Sequence, residues 1–191
     1  MFASITNQKA ANITAKPPNH PAPAPQTPPP APHRNLERAG KADHASGNGA
    51  ARGTTAAAAL TPVPGHTPPA WASDPTVRRA MATAWNRSNP NAREVPIGQP
   101  GSTKAEHGGW VVRNANGTYG VVPWPPGTRD SSAPTSQPKN AVGWYHTHPN
   151  MASERYGSGP SHEDQEFTDH CHLPGVAISH GGMYTIPPSP K

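Results

Sequence analysis

Cysteine is almost absent from this chain: Cys171 stands alone, so no internal disulfide framework is possible. Long hydrophobic runs are absent as well. No stretch of eighteen apolar residues occurs, and no membrane span is expected. The opening MFASITNQKAANITAK lacks the apolar centre, between a basic start and a small-residue cleavage site, that a Sec signal peptide needs. The expectation is a cytoplasmic protein, or one exported by a specialised non-Sec route. Apolar residues in general are scarce, at 32% of the chain, against roughly 45–50% in globular proteins when glycine is counted too. Acidic residues are outnumbered, 11 against 16 Lys and Arg, but the excess is local. Residues 1–69 hold six basic and two acidic side chains, whereas residues 70–191 hold ten and nine. The second part is therefore nearly neutral. That argues against nucleic acid as substrate, because phosphates draw clusters of Lys and Arg.

What the chain has in quantity is proline and glycine, 28 and 18 residues. KPPNHPAPAPQTPPPAPH (16–33) favours extended polyproline II, and ASGNGAARGTTAAAA (45–59) is small and flexible. Residues 1–69 carry only a handful of large apolar side chains, too few to offset the entropy of ordering. They read as a disordered Pro/Ala/Gly-rich arm that acts as a solvated linker, with at most one helical turn at TAAAAL.

All five tryptophans fall in residues 70–191, which read as the folded domain. SDPTVRRAMATAWNRSN (73–89) predicts a helix capped by Ser73 or Asp74, with Val77, Met81 and Ala84/Trp85 as its apolar stripe. Strands over 108–114 and 118–124 flank Asn116-Gly117, a strong hairpin signal. A further strand spans 141–148, a short helix 161–171, and a last hairpin 175–180 and 183–186. This order predicts an α+β fold, a mixed sheet with flanking helices.

The chemistry centres on GWYHTHP (143–149). On a strand, residues i and i+2 share a face, about 6.5–7 Å apart. His146 and His148 then project together and can converge on one ion, the most suitable being Zn2+, while Pro149 ends the strand. A catalytic zinc needs a third ligand, and Asp164 in the first turn of the next helix is the nearest good candidate. Ser161-x-x-Asp164 also reads as a helix capping box. In DHCH (169–172), His170 and His172 suit a helix C-terminus and Cys171 a small buried position. His107 is a substitute ligand should the strand phase differ, His180 is expected in solvent, and the histidines of the arm lack partners.

HTHP followed by SHED resembles the JAMM motif of the JAB/MPN metalloprotease superfamily. The resemblance covers roughly residues 92–186 and implies a JAB/MPN-like sheet with cytidine-deaminase-like layering. It implies His146, His148 and Asp164 as zinc ligands, Ser161 as oxyanion helper, and an upstream Glu as general base. Only Glu94 and Glu106 lie between the first helix and the histidine strand. Glu106 opens EHGGWVVRNANGTYG, which looks like the JAB-like domains of bacterial polymorphic toxins, and it is preferred over Glu94. The twelve residues from Pro149 to Pro160 exceed the gap of eukaryotic members, an insertion that loop-closure entropy tolerates. The implied function is a zinc-dependent peptidase or isopeptidase, a toxin or secreted effector acting on a polypeptide. Its implied partners are an immunity protein and a secretion apparatus. A zinc-dependent nuclease and a non-catalytic JAB-like scaffold are the alternatives.

Overall fold

The computed structural model describes residues 53–191. The expected disorder of residues 1–52 falls outside the described residues. Residues 53–69, assigned by composition to the arm, are a correction. They form helix α1 (Ala56–Ala59), capped by Thr55, and pack on the domain with Ala59 and Leu60 buried. Pro62 bridges Met183, and Val63 N–H donates to the Met183 carbonyl, so this segment lies along the edge of the last strand. Backbone pairing to an existing edge holds a segment whose own apolar content is too low to fold alone.

Helix α2 (Pro75–Arg87) begins where proline suits the first turn and the Asp74 carboxylate accepts from the backbone of Thr76 and Val77. Its buried residues are Val77, Met81, Ala84 and Trp85, the stripe expected from their spacing. The five strands are β1 (Gly108–Arg113), β2 (Tyr119–Pro123), β3 (Ala141–His148), β4 (Gly175–Ser179) and β5 (Gly182–Ile186). They form one mixed sheet in the order β2-β1-β3-β4-β5. Only β3 and β4 run parallel, because α3 (His162–Cys171) carries the chain back between them. The fold is thus α+β.

Side-chain alternation divides the core in two. Val111, Tyr145, Val176 and Ile178 face α2 and Trp71; Trp110, Trp144, Ala177 and Ile186 face Phe167 of α3. Trp110, Trp124, Trp144 and Phe167 pack ring on ring, with centroids 5.0–6.1 Å apart. Both faces of the central strands are covered, and β3 is buried from Gly143 to His148. Two glycines make this packing possible. A Cβ on Gly143 would come within 2.4 Å of the Trp71 indole, and one on Gly175 within 2.3 Å of the Trp144 ring. No helix among the described residues is long and apolar enough to cross a membrane.

Candidate metal centre

The α3 face of β3 ends in His146 and His148, whose rings meet edge to face with centroids 4.5 Å apart. Thr147 points to the other face, where its Oγ1 accepts from the His107 backbone. Gly108 of β1 lies opposite His146 in the antiparallel register, and Thr147 N–H donates to the His107 carbonyl. Continuing that register sets Glu106 on the same face as the two imidazoles. Glu106 is 1% exposed, its backbone pinned by hydrogen bonds to Thr128 and Gly127, and its carboxylate groups with His146 and His148 as a set able to hold a metal ion.

Asp164 enters from α3. The buried residues of that helix are Asp164, Phe167, Thr168 and Cys171, spaced i, i+3, i+4, i+7 along one stripe. The Phe167 ring anchors the stripe in the tryptophan cluster, which carries the Asp164 carboxylate, 1% exposed, onto the imidazoles. Its Oδ1 lies 3.0 Å from His146 Nε2 and its Oδ2 3.3 Å from His148 Nε2. Ser161 completes a capping box with the same residue: its Oγ accepts from Asp164 N–H, and Asp164 Oδ2 accepts from Ser161 N–H. Cap and site coincide in one carboxylate. Glu94 is exposed and takes no part.

The outer nitrogens of the rings are held. His148 Nδ1 lies 3.2 Å from the Gly159 carbonyl, which can only accept, so Nδ1 carries the proton and a neutral ring presents a bare Nε2. His146 Nδ1 lies 3.1 Å from Ser132 Oγ and 3.4 Å from Glu106 Oε2, an arrangement that likewise directs Nε2 inward. Two bare nitrogens facing a buried carboxylate at 3.0–3.3 Å repel it unless positive charge lies between them. A divalent cation supplies that charge, and two N donors with one O donor are a zinc-type set. Without one, a proton serves. Burial alone would push the His146 pKa down, but the Asp164 and Glu106 carboxylates overcome it and raise it to about 10. Burial works against the Asp164 charge too, yet the paired imidazoles hold its pKa well below the usual carboxylate range. The residues present therefore fit a metal ion.

Two neighbours escaped the sequence reading: Ser132, from a loop with no signal of its role, and Gly159, whose carbonyl lies in the long gap after Pro149. That gap is not loose. Glu154 forms a buried ion pair with Lys104 and accepts from the backbone of Val95 and Met151. Arg129 donates to Tyr156 Oη and to the Val95 carbonyl. His180, expected in solvent, is half-buried between Thr54 Oγ1, the Pro149 carbonyl and the Trp85 ring. His66, expected to lack a partner, contacts the Thr185 backbone and packs on Tyr184. His107 stays out of the site, and Cys171 is buried, its thiol pushed by burial up to about 11.

No known protein family matches this chain, and no characterised protein or solved structure matches it either.

Proposed function

We propose that this chain is a zinc-dependent peptidase or isopeptidase of the JAB type, with a JAB/MPN-like fold, working as a bacterial toxin or secreted effector. One observation carries the reading: Glu106, His146, His148 and Asp164 converge in a single buried cluster, in the order of the JAMM motif. His146 and His148 offer their Nε2 lone pairs, and Asp164 offers a carboxylate. When bound, zinc supplies Lewis acidity and draws the pKa of its water from 15.7 toward about 7. Glu106 removes a proton from the attacking water and delivers it to the leaving amine as the C–N bond breaks. Ser161 donates its hydroxyl to the developing oxyanion, a contribution of ~3 kcal/mol. A polypeptide is the substrate; an immunity protein and a non-Sec export apparatus are the partners such a toxin requires.

The 3.4 Å approach of Glu106 to His146 Nδ1 favours a second role, in which the carboxylate orients the ligand instead of moving the proton. Zinc content and hydrolysis of peptide and isopeptide substrates, measured side by side, separate these roles. His146→Ala and Asp164→Ala should lose zinc and activity together. Glu106→Gln should keep zinc and lose activity if the carboxylate is the base. It should lose metal affinity by about 10–100-fold if it orients His146. Degradation of nucleic acid instead of polypeptide would favour the nuclease, and zinc binding with no hydrolysis the scaffold. A parent protein that takes up no divalent metal ends all of these readings.

A further inference from the structure

A cavity of about 340 Å³ opens between α2 and the β1–β2 end of the sheet. Ala80, Ala84 and Val121 supply an apolar wall, while Arg79, Arg87 and His107 supply its polar edge. The volume lies within the ~300–1,000 Å³ range of small-molecule sites, and the mix of apolar wall with a few polar groups is theirs too.

The charge in this cavity is of one sign. No Asp or Glu lines it. Asp74, the acid nearest in sequence to α2, is committed to the helix N-cap. Among the described residues, neither the Arg79 nor the Arg87 guanidinium makes an ion pair or a hydrogen bond. Arg87 alone would be an ordinary cation in the last turn of a helix. Two unpaired guanidinium groups at the rim of one apolar cavity are a different matter, because a planar fork of donors is suited to a carboxylate. The two residues stand eight apart on α2, roughly 12 Å of helix rise, so they mark opposite ends of the opening. His107 and Tyr145 line the same cavity as Arg87.

We propose that this cavity binds a small aryl carboxylate, its ring against Ala84 and Val121 and its carboxylate against the Arg87 guanidinium, with Arg79 adding to the attraction. A bare phosphate would leave the apolar wall unused, and a neutral aromatic would leave the guanidinium groups unpaired. The inference is independent of any metal chemistry, and its test needs no activity.

Calorimetric titration of the full chain with 2-naphthoate, 2-naphthamide and inorganic phosphate tests it. Naphthoate should bind saturably and more tightly than either comparison compound by about tenfold or more, the worth of a charged hydrogen-bond pair. Arg87→Gln should weaken naphthoate by a similar factor and Arg79→Gln by less. Both side chains are exposed, so the variants should keep the parent's Tm. Ala80→Trp, which fills the cavity from α2, should abolish binding. Absence of saturable binding overturns the proposal. So does naphthoate binding no tighter than the amide, phosphate binding as tightly as naphthoate, or a folded Arg87→Gln variant of unchanged affinity.

Discussion

Asp164 serves two structures that a sequence motif presents as alternatives. Its Oδ2 closes the capping box of α3 and also lies 3.3 Å from His148 Nε2. The two roles separate by substitution. Ser161→Ala removes the hydroxyl cap and should cost about 1 kcal/mol in urea unfolding, while zinc content stays at the parent level. Asp164→Asn keeps a side-chain oxygen for the cap but removes the charge that balances the imidazoles. Zinc content should fall sharply in this variant, as measured by elemental analysis. The same logic of close approach governs the glycines. Gly143→Ala drives a methyl into the Trp71 indole and should cost about 1–3 kcal/mol, read as a lowered urea midpoint.

The elements around the site are tied by groups that no periodicity reveals. Lys104 precedes the Glu106 segment, and Glu154 follows β3; their buried pair joins the loops that lead into Glu106 and out of the histidine strand. Lys104→Met leaves the Glu154 charge buried without its cation and should cost about 3–5 kcal/mol. The pH dependence has a definite sign. Burial opposes the Glu154 charge, but Lys104 and the Val95 and Met151 backbone N–H groups win and lower its pKa below the ordinary 4.5. The pair's contribution is therefore present above about pH 4.5 and is lost as the pH falls through the lower, folded value. Unfolding measured from pH 6 down to 3 should show this loss in the parent and a flatter acid limb in Lys104→Met. Local signals were legible at this scale: the α2 stripe, the Asn116-Gly117 hairpin, the β3 strand and the Ser161 cap all follow from spacing within one element. Ser132 beside His146, and Gly159 beside His148, were not, because each contact joins distant loops and leaves no local pattern.

At the scale of the molecule, the boundary of the folded part is the point where composition misled. A chain shortened from its N-terminus, compared with the full chain, tests that boundary. One beginning at residue 70 loses buried Ala59 and Leu60 and the backbone pairing to Met183. It should be less stable by about 2–5 kcal/mol, read by thermal and urea unfolding. The cavity beneath α2 belongs to this scale as well, since its lining comes from a helix, a hairpin and a central strand.

By itself the sequence determined which residues could meet: period two put His146 and His148 on one face, and the Ser161 cap put Asp164 in the first turn of the next helix. These are short-range consequences of backbone geometry. Only the tertiary structure decided that Glu106 and not Glu94 reaches the imidazoles, that residues 53–69 join the domain, and that the long loop is fastened by Lys104, Glu154 and Arg129. Those outcomes depend on strand register and on pairing between segments far apart in the chain, where the free energy lies in contacts that no single stretch contains.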